Sequence, residues 1–307
     1  MFRMQIQSKK KCIWYCSAAV SFLLFLLLNL WCDHLVNMQD AQQMAGRWSE
    51  KKDVAQISCF FSSKAEVTED TIQSFEYSLK NVLQEASITE TSENPGARLW
   101  VDAYSADGKI TLVNGRNKLD ANAIGIGGDF FLFHPLKLIT GSYFSGNDLM
   151  QDYCIIDQDA AWQLFGSNDV VGMTVYIGNV PHIVTGVVRR PQGRMEKAAG
   201  LTSTVVYVSY ETLETYGTSN GINHYEIVMP NPVDEFAYGK VKEGIGIDEK
   251  NVEIVENSRR YSLPNRIKTI LAFGTRSMNG KAIIYPYWEN LARGYEDIIA
   301  LLTVFML

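Results

Sequence analysis

The longest apolar run lies near the amino end, CIWYCSAAVSFLLFLLLNLWC from Cys12 to Cys32, with no charge between Lys11 and Asp33. At about 1.5 Å per helical residue it spans roughly 32 Å, close to the hydrocarbon thickness of a bilayer. Trp14, Tyr15 and Trp31 stand near its two ends, where amphipathic rings favour the headgroup zone. The pattern predicts a membrane-spanning helix over 12–32, with these three residues as anchors. Arg3, Lys9, Lys10 and Lys11 precede the run, and Asp33, His34 and Asp40 follow it. By the positive-inside rule, residues 1–11 are cytoplasmic and the main body lies outside the cytoplasm, at a cell membrane. A cleaved signal peptide fits less well, because no small-x-small site follows the run.

Beyond the run the pattern shortens. Residues 33–51 read as a stalk that continues the helix until Gly46 breaks it. Val54–Ser62 reads as a buried strand, and Thr68 caps a helix whose apolar face is Ile72, Phe75, Leu79, Val82, Leu83 and Ala86. Asn94-Pro95-Gly96 is a turn, Leu99–Ser105 a strand, and Asp107-Gly108 a hairpin turn into Lys109–Val113. A second unit of this kind is Tyr225–Met229, then a helix opened by Asn231-Pro232 and buried through Val233, Phe236, Ala237 and Val241, then Asn251–Val255. Two strand-helix-strand units so far apart predict an α+β fold: a split ferredoxin-like βαβ module over 52–126 and 223–257. The inserted module, 127–222, is strand-rich. It contains Tyr153–Ile156, a helix Gln158–Phe165 capped by Asp157 and ended by Gly166, and strands Thr174–Ile177 and His182–Val188 about a Gly178-Asn179 turn. Thr204–Val208 follows, with a short helix between Ser209 and Gly217. Residues 258–297 are a connecting helical segment, and Ile298–Leu307 reads as the start of a second membrane helix cut short.

Charge and cysteines narrow the function. The net charge is −6, of which the first eleven residues contribute +4, leaving −6 − 4 = −10 for the rest. An acidic body without a basic footprint excludes nucleic acid as a partner. Cys59 and Cys154 fall in strands, where a cysteine acts as a small buried hydrophobe more often than it pairs.

Chemistry-bearing motifs are sparse. No G-x-x-x-x-G-K-[ST] occurs, and Gly125-x-Gly127-Gly128 lacks the later glycine of a dinucleotide fingerprint, so these glycines read as a tight turn. His34, His134, His182 and His224 fall at no metal-ligand spacing, and His134 beside Pro135 reads as a structural histidine. Asp157-x-Asp159 offers oxygens for a hard cation, but a cap and a first-turn acid explain both. Gly141-Ser142-Tyr143-Phe144-Ser145-Gly146 is not a nucleophile elbow. No catalytic, cofactor-binding or metal residue is expected, and the chain is not expected to be an enzyme.

The middle of the chain resembles the extracytoplasmic core domain of MacB-like ABC transporter permeases, which precedes an FtsX-like membrane segment. The resemblance rests on Gly128, Phe130, Phe131, Leu136, Leu138, Gly141 and Phe144, continues through Asp157, Ala161, Leu164, Phe165, Gly166, Gly172, Val175 and Ile177, and ends at Gly186 and Val187. Ser142 and Met173 depart from it, where the family often has a basic residue, and so does Asp157, where a Ser or Asn cap is usual. The resemblance implies a permease subunit with an ABC ATPase partner, a second permease copy and a lipid bilayer around its helices. It implies no cofactor, and export or mechanotransmission acting on peptides, lipoproteins or drugs. A membrane-anchored sensor that binds a ligand outside the cell is the alternative, since both need one helix and an external α+β domain.

Overall fold

The computed structural model describes residues 2–49, 53–89, 97–276 and 280–306, with side chains from Trp14 onward. The Asn94-Pro95-Gly96 turn and the side chains of Arg3 and Lys9–Lys11 lie outside the described residues. Helix α1 (Phe2–Asn37) carries the apolar run, and its Trp14–Asn37 part is long and apolar enough to cross a membrane. Trp14, Tyr15 and Trp31 are exposed on it. The helix stops at Asn37, well before Gly46. Its last carbonyls are taken by glutamines instead: Gln39 Nε2 donates to Leu35 O at 3.0 Å and Gln43 Nε2 to Val36 O at 2.6 Å. Gly46 sits inside a short helix, α2 (Met44–Trp48), which buries Met44 and Ala45.

Strand β1 (Val54–Phe61) leads to α3 (Glu69–Glu85), which buries Ile72, Phe75, Leu79 and Leu83. The hairpin β2 (Val101–Asn114) and β3 (Asn117–Gly128) follows, then α4 (Phe130–Phe133) and β4 (Lys137–Gly141). Next come β5 (Tyr153–Asp157), α5 (Gln158–Phe165), β6 (Thr174–Ile177), β7 (Val180–Arg189) and α6 (Arg194–Ala198). Strand β8 (Val205–Ser209), α7 (Tyr210–Tyr216) and β9 (Thr218–Ser219) complete the middle of the chain. It closes with β10 (His224–Pro230), α8 (Phe236–Gly244), β11 (Val252–Glu256), α9 (Leu263–Ala272) and α10 (Tyr287–Met306).

The eleven strands among the described residues join one sheet whose main path is β11-β1-β10-β2-β3-β8-β5-β7-β4, with β6 and β9 paired off it. Its first four strands, taken in chain order, lie 4-1-3-2 and are antiparallel throughout, the ferredoxin-like arrangement. Helices α3 and α8 cover one face through Ile72, Phe75, Ala237 and Val241, against Ile57, Cys59, Tyr225 and Ile227. Full burial of each such leucine, isoleucine or phenylalanine stabilises by ~1.5–3 kcal/mol. The other face carries a smaller core built from Met44, Ala45, Phe130, Phe131, Phe133, Tyr207 and Trp288. Cys59 and Cys154 are buried free thiols.

Three expectations need correction. Asp107-Gly108 is no turn: β2 runs straight through it and reverses only at Gly115-Arg116. Glycine is required there because a Cβ at Gly108 would lie 2.4 Å from Thr218 O, and Asn223 Nδ2 bonds Asp107 at 2.8 Å. Gly125 and Gly127 are likewise strand residues, packed under Leu213 and Tyr104, and only Gly128 of that group takes a positive φ, 65°. Helix α8 starts at Phe236 rather than at Asn231-Pro232, so Val233 is exposed. The Asn231 side chain still contributes, accepting from Ala237 N at 3.0 Å.

Candidate coupling site between the helices and the sheet

The last turn of α1, the start of α10 and the chain leaving β11 meet at one edge of the sheet. Arg260 follows the turn Asn257–Arg259 and is 5% exposed, deep enough that its charge must be answered. Its Nη1 and Nη2 donate to the two oxygens of Glu289 at 2.7 and 2.8 Å, and its Nε to Glu296 Oε1 at 2.7 Å. Both glutamates belong to α10, so a bidentate guanidinium fork locks that helix to the sheet edge. Arg293 Nε adds a bond to Glu289 at 2.8 Å, and Arg276 pairs with Glu296 and with Asp297 at 2.8 Å. Burial pushes the Glu289 carboxyl up, but Arg260 and Arg293 outweigh it and hold it below the usual carboxylate range.

Helix α1 is fastened to the same place. Tyr261, next to Arg260, donates its hydroxyl to Gln39 Oε1, and Tyr295 and Ile299 of α10 pack on Cys32 and Leu35 of α1. Gln56 of β1 holds the segment after α1: its Oε1 accepts from Met44 N at 2.8 Å and its Nε2 donates to Ala41 O at 2.7 Å. Leu301, Val304 and Phe305 remain exposed near the end of α10. Among the described residues, α1 alone meets the length and hydropathy of a membrane span. Beside the ion cluster a groove of about 620 Å³ opens between α6, α9 and α10, lined by Met195, Ala198, Phe273, Arg276, Tyr285 and Arg293.

Directly inward, Trp288 at the start of α10 meets His134 and His224, ring centroids 4.3 and 5.3 Å apart. Strand alternation explains this. Tyr225 and Ile227 face the helix-covered core, so His224 and Glu226 face the other way, opposite Phe60 and Ser58 of β1. His134, from the turn after α4, completes a group of three buried residues whose ligand atoms all lie within 4.8 Å of one another. Burial lowers His224 to about 4, against the opposing pull of Glu226, so it is neutral at physiological pH. His134 is ninety positions from His224 in the chain, and linear spacing could not join them. The available signal was His224-x-Glu226 in a strand, facing Gln56 and Ser58 in an otherwise apolar one.

The residues behind the resemblance are distributed through the packing. Phe130, Phe131 and Phe144 are buried in the core that receives Trp288, with Leu136 and Leu138 half-buried against it. Ala161, Leu164, Val175, Ile177 and Val187 are buried in the larger core, and Phe165 packs on it. Gly141, Gly166 and Gly172 take positive φ, and Gly186 lies against Ser142 O. Asp157 caps α5 by accepting from Ala160 N at 2.8 Å and also receives Val205 N at 3.0 Å. Arg190 pairs with Asp157 at 3.3 Å and with Asp159, so a side-chain cation already stands where a metal would compete for them.

Together these features define a class: an α+β domain carried on an apolar helix, tied to that helix by neutral hydrogen bonds and apolar packing and to α10 by a buried ion cluster. Its family is more specific. The chain belongs to the MacB-like periplasmic core domain family, whose pattern matches residues 38–254, more than half of its length. The macrolide export ATP-binding/permease protein MacB of Chromobacterium violaceum is 31% identical over 96 residues, which are 31% of this chain and 14% of that protein. The protein of the same name from Pasteurella multocida is 30% identical over 116 residues, 37% of this chain and 18% of that one. The matched segment therefore spans less than a fifth of either relative. Among solved structures, the extracellular domain of the noncanonic ABC-type transporter YknZ from Gram-positive bacteria covers 65% of this chain and 99% of its own. The periplasmic region of MacB from Actinobacillus actinomycetemcomitans covers 73% and 94%, and both align at 19% identity with a TM-score of 0.43.

Proposed function

We propose that the chain is the membrane-anchored, extracytoplasmic part of an ABC transporter permease. It relays movement between its membrane helices and the external domain, and a partner ATPase in the cytoplasm supplies the energy. The observation that carries this reading is the Arg260–Glu289–Glu296 cluster with the adjoining Tyr261–Gln39 bond, through which α1 and α10 grip one sheet edge. A tether alone needs one attachment. Two helices fastened to one sheet edge, α10 by short charge-assisted bonds and α1 by the Tyr261–Gln39 bond just past its end, transmit a displacement of either into the sheet.

In this reading the module of residues 52–126 and 223–257 receives the displacement, and the inserted module of 127–222 presents it to cargo. The cargo is a peptide, lipoprotein or drug, α10 continues as a second membrane helix, and a second permease copy completes the assembly. The N-terminus is cytoplasmic. The test is affinity purification of the full chain from its native membrane, with mass spectrometry of what accompanies it. Stoichiometric recovery of an ABC ATPase is expected, and recovery of the chain without any ATPase contradicts the reading.

A further inference from the structure

We propose that His134, His224 and Glu226 bind a borderline divalent cation of the zinc type, which pins the turn after α4 to strand β10. The argument begins with three converging buried atoms whose bonding is incomplete. Nε2 of both histidines and Oε1 of Glu226 are buried and make no hydrogen bond to any other group among the described residues, although all three converge. His134 Nε2 and Glu226 Oε1 are paired with each other, 2.5 Å apart and fully buried, and leave His224 Nε2 outside the pair. His224 Nε2 is 3.8 Å from Oε2, beyond hydrogen-bond range. A single proton can serve one of these contacts. A cation at the common point serves all three at once.

The surroundings also suit a metal. Ser105 Oγ lies 3.3 Å from His224 Nδ1, and when that nitrogen donates to the hydroxyl the other ring nitrogen faces inward as a lone pair. Ser58 Oγ donates to Glu226 Oε2 at 3.3 Å and itself accepts from Asn257 Nδ2 at 2.8 Å, so the carboxylate is oriented by an outer layer of its own. Phe60 stacks on His224 at 5.0 Å, and Phe130 and Trp288 lie 4.5 and 4.3 Å from His134, which makes the walls around the three ligand atoms apolar. The guanidinium that senses Glu226, Arg47, spends its donors on the carbonyls of Asp40, Leu132 and Phe133. Two imidazole nitrogens and one carboxylate suit zinc and its first-row neighbours, whereas calcium and magnesium demand oxygen throughout.

The test uses the purified full chain, stripped with a chelator and titrated with Zn2+ and separately with Co2+. About one Zn2+ per chain is expected, with a Tm gain of about 5 °C at saturation. Bound Co2+ should give the intense ligand-field bands of a tetrahedral site without a thiolate charge-transfer band, which separates this site from Cys16 and Cys32. His224→Gln and Glu226→Gln should each weaken binding by at least ~10-fold. Failure of the wild-type chain to bind either metal, a thiolate band, or undiminished affinity in folded variants would overturn the proposal. If neither variant folds, the Co2+ spectrum of the wild-type chain decides alone.

Discussion

Arg260 shows how much of the site depends on single atoms. It is 5% exposed and Glu289 1%, so each charge is tolerable only because the other is present. Arg260→Met leaves Glu289 with Arg293 alone, and a loss of roughly 3 kcal/mol in urea unfolding is expected. Replacing both residues by apolar ones of similar volume should restore most of it, since a well-packed apolar pair is often as stable as a buried ion pair. The pH dependence follows from the depressed Glu289 pKa. Its contribution is complete above the unfolded carboxylate value, about 4.3, and is lost as pH falls through the lower folded value. Acid should therefore destabilise the wild-type chain more than Glu289→Gln, a difference visible in thermal melts across pH 3–6. None of this pairing was legible beforehand. Arg260 lay in a segment read only as a helical connection, because the sequence does not say which arginine faces α10.

At the scale of elements, local rules worked where the local signal also had room to act. Asp157, Gly166 and the Gly178-Asn179 pair delimit α5 and the β6–β7 hairpin, with φ of 71°, 56° and 68° at Gly166, Gly178 and Asn179. They failed where tertiary packing claimed the same residue type for another purpose. Gly108 looked like a turn and is a close approach of β2 to β9 and α7, whereas Gly46 looked like a helix breaker and has nothing within 4 Å. The two glycines should respond oppositely. Gly108→Ala must displace the Thr218 carbonyl and is expected to cost about 1–3 kcal/mol. Gly46→Ala, exposed inside α2, should stabilise by about 0.5–1 kcal/mol, read from the same unfolding curves.

For the whole molecule, the apolar run and the two strand-helix-strand units were visible as pattern, because burial on one face imposes period two on strands and a stripe on helices. The route by which the middle strands join one continuous sheet was not, since β3–β8 and β5–β7 pair in parallel across long connections that no local signal marks. The same non-local folding brings His134 to His224 and sets Trp288 against both. The central proposal is that the chain is anchored by α1 with its sheet-rich domain outside the cytoplasm. Leu149 is fully exposed and lies outside every helix and strand, so Leu149→Cys offers a thiol that perturbs nothing. A membrane-impermeant maleimide applied to spheroplasts with intact inner membranes should label that cysteine, and labelling only after lysis would contradict the account.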